Sequence, residues 1–194
     1  MDCTGHGVAG AFMSLIGYNL LNRVILEKAE STPKEILSQL NHYLIESLNQ
    51  ESEHAISKDG MDISICMIDK HKKQLHFSGA NNPLYIIRNG LLEIIKADNN
   101  SIGIQKFGKT SQFTNHVLDI LDGDRFYIFS DGIAGQFGGP IGDEKFKYTR
   151  FRETLLEVHS FPMEEQKEIL SEKLKRWKQN SDQTDDIMVI GFTP

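Results

Sequence analysis

The amino-acid sequence predicts an α+β domain, and three observations carry that prediction. Apolar stretches at helical spacing stand near both ends of the chain, at 8–28 and 162–178. Between them, short strand-like runs follow one another closely, with turn residues in the gaps. Nowhere do strand and helix alternate in the way a parallel βαβ sheet requires.

The elements justify themselves in order. Residues 1–7, "MDCTGHG", read as a glycine-rich loop. From Val8 to about Lys28 the chain is apolar on nearly all sides, interrupted by Gly17, Asn19 and Asn22, and predicts a mostly buried helix. A second helix starts at Thr32-Pro33-Lys34-Glu35, a capping box with proline at the first helical position. Its apolar face is Ile36, Leu37, Leu40, Leu44 and Leu48. Strands are predicted at 61–69, 74–80, 83–88 and 91–96, and Asn89-Gly90 between the last two is a strong hairpin signal. Asn81-Asn82-Pro83 reads as a tight connection. Two more strands, 111–120 and 125–130, are joined by the turn residues Asp122-Gly123-Asp124. Two helices follow, the second with Leu170, Leu174 and Trp177 on one face, and a last strand is predicted at 186–192.

The totals narrow the function. At 194 residues the chain has the length of one domain, 1–194, able to bury roughly 70% of its unfolded surface. Its 27 acidic against 21 basic residues argue against nucleic acid as the main partner. No signal peptide is read at the start and no apolar run of membrane-spanning length, so no membrane contact is expected. Cys3 and Cys66 have no metal-type spacing, and the seven histidines form no His-x3-His pair, so a cytoplasmic protein without zinc is expected.

Carboxylates at element ends are the chemical signal. Asp2 precedes the loop that opens the first helix, Asp131 ends a strand before Gly132, and Asp185 and Asp186 begin the final strand. Hard divalent cations take carboxylate, carbonyl and water oxygens, so such residues suit a two-metal hydrolytic site. Aspartates are also common caps and strand terminators, and spacing alone leaves both readings open.

The ordered motifs "DCTGHGVAGAFMSLIG", "GMDISICMID", "FSGANNPLYIIRNG", "IFSDGIAGQFGG" and "QTDDIMVIGF" resemble the metal-dependent PPM serine/threonine phosphatases, in their SpoIIE-like branch. The resemblance spans 2–193 and implies a four-layer αββα sandwich, two antiparallel sheets face to face with helices outside. It implies two Mn²⁺ or Mg²⁺ ions, bridged by Asp2, with the Cys3 carbonyl as a neighbouring ligand and Asp131 at the strand end. Of the final pair it favours Asp185 over Asp186. The implied reaction is hydrolysis of phosphoserine or phosphothreonine on a regulatory protein, such as an anti-sigma-factor antagonist, without a phosphoenzyme. It also implies acidic strands upstream of Met1, so the domain is expected to be N-terminally incomplete, with an upstream sensor domain. The contrasting expectation is an impaired or truncated domain that serves as a protein-binding regulatory module.

Other signals are weaker. Residues 103–110, "GIQKFGKT", satisfy a P-loop pattern but neither follow a buried strand nor open a helix. Cys3 lacks the arginine that a thiol phosphatase needs six residues later, where Ala9 stands. His6 is a general-acid candidate by residue type only.

Overall fold

The structure is a computed structural model, and it describes residues 1–5, 7–27, 31–50, 59–103 and 111–194. His6 and most of the P-loop-like stretch, 104–110, lie outside the described residues. The elements run β1 (Asp2–Cys3), α1 (Gly7–Glu27), α2 (Pro33–Ser47), β2 (Met61–Asp69), β3 (Gln74–Ala80), β4 (Leu84–Arg88), β5 (Leu91–Ile95) and β6 (His116–Asp119). They continue β7 (Arg125–Phe129), α3 (Gly132–Gly135), β8 (Phe137–Gly138), β9 (Glu144–Lys145), α4 (Lys147–Val158), α5 (Met163–Lys178) and β10 (Val189–Phe192). The chain divides into two compact units, Met1–Leu84 with Lys96–Ile120, and Tyr85–Ile95 with Leu121–Pro194.

The first unit is built on the antiparallel sheet β1-β2-β3-β6. Strand β2 alternates, as a half-buried strand must. Met61 and Ile63 are buried in a core with Leu37, Leu40 and Leu44 of α2, while Asp62 and Ser64 fall on the other face. The capping box at the start of α2 forms as the sequence predicts. The Thr32 hydroxyl accepts from the Glu35 N–H, and the Glu35 carboxylate accepts from the Thr32 N–H at 2.8 Å.

Helix α1 departs from expectation. Only Met13, Gly17 and Val24 are buried, whereas Val8, Phe12, Leu15, Tyr18 and Leu26 are exposed. The helix rests on α2 and β1 along one narrow stripe, and nothing among the described residues covers its remaining apolar surface. The expected lack of a membrane-length run also fails. Over 18 residues α1 reaches a mean hydropathy of 1.3, because Gly17, Asn19 and Asn22 dilute its leucines and isoleucines too little.

The second unit is built on the antiparallel sheet β10-β7-β4-β5. Asn89 and Gly90 turn β4 into β5 with φ of 52° and 74°, the left-handed pair that a two-residue hairpin requires. One face of the sheet packs Tyr85, Tyr127 and Phe129 against Phe151 and Leu155 of α4. The rings of Tyr85 and Phe129 meet edge to face at 4.6 Å, and those of Phe129 and Phe151 at 4.9 Å. Helix α5 is tied in by the buried Tyr127 hydroxyl, which donates to Gln166 at 2.8 Å.

Two predicted strands are shorter than expected. Of 111–120 only His116–Asp119 forms a strand, paired with Gln74–Phe77 of β3. Strand β10 begins at Val189, not 186, since the Ser130 hydroxyl takes the Met188 N–H and the Asp186 carbonyl, leaving one backbone bond, from the Ser130 N–H to the Met188 carbonyl at 3.0 Å. The opening loop also contains the short strand β1, paired to β2.

Candidate functional site

In the first unit the candidate residues stand on a β-ladder. Strand β1 pairs antiparallel with β2 in the register Asp2↔Asp62 and Cys3↔Met61. Thr4 extends the pairing, its N–H donating to the Gly60 carbonyl at 2.9 Å and its hydroxyl to the same oxygen at 2.7 Å. Because opposed residues point to the same face, Cys3 and Met61 enter the core, and Asp2 and Asp62 share the other side.

Asp62 is held firmly. Its Oδ1 accepts from Asn81 Nδ2 at 2.9 Å and from the Ser101 hydroxyl at 2.7 Å. Asn81 also donates to Ser101 at 2.9 Å, from a backbone φ of 60° that asparagine tolerates better than most residues. Ser101 arrives because Ile102 bridges Met61, with backbone bonds of 3.0 and 2.8 Å. Sequence reasoning missed Asp62 and gave Asn81 only a turn role. The one available signal was a polar residue opening an otherwise apolar strand. Burial pushes the Cys3 thiol up, against a smaller opposing effect of its bond to Ser14, so this side chain is a poor thiolate and only its carbonyl suits a hard cation.

In the second unit the candidates stand on loop ends. Asp131 follows β7 and occupies the N-cap position of α3, yet its carboxylate makes no capping hydrogen bond. Its carbonyl accepts from the N–H groups of Ala134 and Gly135, both at 2.9 Å, so the backbone closes the turn and the exposed carboxylate is left over. The reading of Asp131 as a mere cap therefore fails.

Ser130 fixes the neighbouring segment. Its hydroxyl donates to the Asp186 carbonyl at 2.8 Å and accepts from the Met188 N–H at 3.0 Å. A Cβ on Gly132 would lie 2.4 Å from the Asp186 carbonyl oxygen and 3.4 Å from the Asp185 Cβ. Only glycine lets Asp131 and Asp185 sit on segments packed this closely. The Asp185 carboxylate accepts from the Asp186 N–H at 2.8 Å.

Asp131 is thus brought together with Asp185 and Asp186, and Asp2 with Asp62. Among the described residues no group of three or more His, Cys, Asp and Glu side chains is gathered to hold a metal. The donors present fit hard divalent cations nonetheless. They are carboxylate and carbonyl oxygens, with a glycine where a Cβ would close the cradle.

The profile of the family described as Stage II sporulation protein E (SpoIIE) matches residues 1–193. The chain belongs to the SpoIIE family. That places it among the PPM serine/threonine phosphatases, and the fold of two antiparallel sheets flanked by helices agrees. The SiaA-PP2C domain of Pseudomonas aeruginosa is 27% identical with a TM-score of 0.86, over 98% of this chain and 72% of that one. The PP2C phosphatase domain of the cell-fate determinant SpoIIE of Bacillus subtilis, solved with a fragment of its regulatory domain, is 21% identical with a TM-score of 0.67. That likeness spans 97% of this chain and 50% of that one. The catalytic domain of the serine/threonine phosphatase PstP, solved with two manganese ions, is 15% identical with a TM-score of 0.64, over 97% of this chain and 83% of that one. No curated protein matches the chain.

Proposed function

We infer that this SpoIIE-family chain hydrolyses phosphoserine or phosphothreonine on a cytoplasmic regulatory protein. An anti-sigma-factor antagonist or a similar partner-switching regulator is the proposed substrate, and an upstream sensor domain the proposed control. Asp2, Asp131 and Asp185 are the proposed cation ligands, joined by the Cys3 carbonyl, with Asp186 as the alternative to Asp185. The observation that carries this reading is Asp131, a carboxylate at a cap position that makes no capping bond. Two divalent cations, Mn²⁺ or Mg²⁺, would supply water activation and neutralise charge on the phosphoryl group. The chain's own residues position them. The Ser130 clamp and the bare Cα of Gly132 hold the Asp185 segment against Asp131, and the β1–β2 register holds Asp2. Burial raises the Cys3 thiol and makes it a poor nucleophile, in keeping with direct attack by water.

The second reading, a binding module without turnover, draws support from the lack of any three-ligand group among the described residues. The test is phosphate release from phosphoserine and phosphothreonine peptides with added Mn²⁺. The enzyme reading expects metal-dependent release that disappears in Asp131→Asn. A protein that binds phosphopeptide but never turns it over, with either cation, favours the module.

A further inference from the structure

We propose that the exposed stripe of helix α1 is a dimer interface, on which α1 of a second copy of this chain packs in parallel. This contact stands apart from the candidate cation ligands and involves the first unit alone.

The stripe is continuous and has the spacing of a helical seam. Val8, Phe12, Leu15, Asn19, Asn22 and Leu26 follow one another at alternating steps of four and three, the heptad pattern of a two-stranded pair. Its four apolar members are 55–84% exposed, although the opposite stripe, with Met13, Gly17 and Val24, is buried. With the exposed Tyr18 and Ile25 beside it, the stripe presents roughly 600–800 Å² of accessible surface, close to what one partner gives up in a stable interface. Monomers rarely leave so large a contiguous apolar patch in water.

Three features select a second copy as the occupant. From Gly7 to Asn22 the helix carries no charged residue, so a charged partner surface would lose its water without compensation, whereas another α1 matches it. The two asparagines then fix the direction. Side by side in parallel, each amide meets its own copy and can both donate and accept, while apolar residues meet apolar ones. An antiparallel pair would set Phe12 against Asn22 and Leu15 against Asn19, and strand the amides. A lipid surface is the competing occupant, because α1 has membrane-length hydropathy. Helices that lie on membranes carry Lys and Arg along their polar face. The opposite face of α1 is instead packed on α2 and β1, and its one cation, Arg23, is engaged by Glu27 at 2.8 Å and by the Tyr43 ring.

The experiment is sedimentation equilibrium of the full chain at micromolar concentrations, beside flotation with phosphatidylcholine–phosphatidylglycerol vesicles. The mass is expected to rise with concentration from 22.0 kDa to twice that value. Leu15→Glu sets two carboxylates against each other in the seam. It should weaken the dimer by about 100-fold or more while the monomer keeps its Tm, since Leu15 is exposed. Asn22→Leu should tighten the dimer about 10-fold. Asn22→Cys should give a disulfide-linked dimer on mild oxidation, absent from wild type, because only the parallel seam brings residue 22 beside its copy. A folded wild-type chain that stays at 22.0 kDa overturns the proposal. So does a dimer indifferent to Leu15→Glu, or a mass that climbs past twofold without limit. Flotation of a monomer with the vesicles overturns it in favour of lipid. A Leu15-sensitive dimer in which Asn22→Cys forms no cross-link overturns the parallel arrangement.

Discussion

The two acidic corners of this chain are built by different physics. In the first unit Asp2 and Asp62 are placed by strand pairing, so a slip of one residue would send them to the core face and bring Cys3 and Met61 out. In the second, Asp131 and Asp185 are placed by a serine clamp and a glycine with no room for a Cβ. The β2–β3 ladder fixes Asp62 collectively, through many backbone bonds, and the short β1 pairing sets Asp2 opposite it. A loop-end clamp fixes a carboxylate through two or three atoms, and is correspondingly easier to break.

The units differ in their ions as well. The ion pairs described in the first unit, Arg23–Glu27 and Lys72–Asp69, lie at the surface. The second unit holds Arg88 against Asp124, whose side chain is 1% exposed, with paired bonds of 2.9 and 2.7 Å. Arg88→Ala tests this contrast most strongly. It strands a buried carboxylate and should cost about 3–5 kcal/mol in urea denaturation. Burial on its own would raise the Asp124 carboxyl, but the Arg88 bonds and the Leu121 N–H outweigh it and hold it below the usual range. A folded-state value below the unfolded one of about 3.9 gives stability that is present above that pH and lost as pH falls through the folded value. The stability gap between wild type and Arg88→Ala should therefore narrow as the pH falls, hydrogen-exchange protection of β4 and β7 in wild type dropping towards that of the variant.

Asp131→Asn sharpens the comparison from the side of function. Phosphopeptide turnover should fall by about 10²–10³-fold, the scale of losing one electrostatic stabiliser of the transition state. Stability should stay within about 0.5 kcal/mol, because the side chain is exposed and caps nothing. Gly132→Ala attacks the clamp directly. The added methyl meets a backbone carbonyl that cannot swing aside, so a loss of about 1–3 kcal/mol is expected, together with lower turnover. Thr4→Val is the mildest test. It removes the hydroxyl that bonds Gly60 beside the Asp2–Asp62 pair, and should lower stability by about 1 kcal/mol while the register holds. A larger loss from Thr4→Val than from Gly132→Ala would reverse the view that the ladder is the more robust corner.

Local chemistry was the most legible part of the sequence. The capping box at Thr32, the Asn89-Gly90 hairpin and the strands around them form where their residues demand, because each signal acts within a few bonds. Where tertiary partners decide, the reading failed. Helix α1 was expected to be buried from its composition, but composition does not say how many sides a fold will cover. The apolar residues of 186–188 suit a ladder, but the Ser130 hydroxyl takes the Met188 N–H and the Asp186 carbonyl, so the strand starts at Val189. Asp62 and Asn81 were passed over because their roles depend on residues 19 and 39 positions away.

By itself, then, the sequence determined the α+β class, the order of the elements, and the acids at their ends that carry the family's motifs. Turn types, caps and hydrophobic alternation are short-range properties, so they survive without knowledge of the rest of the chain. Only the tertiary structure decided which carboxylate faces which, that Asp2 has Asp62 as its partner and that Asp131 is no cap. Those outcomes depend on strand register and on close backbone approach, and both are settled when segments distant in the chain meet.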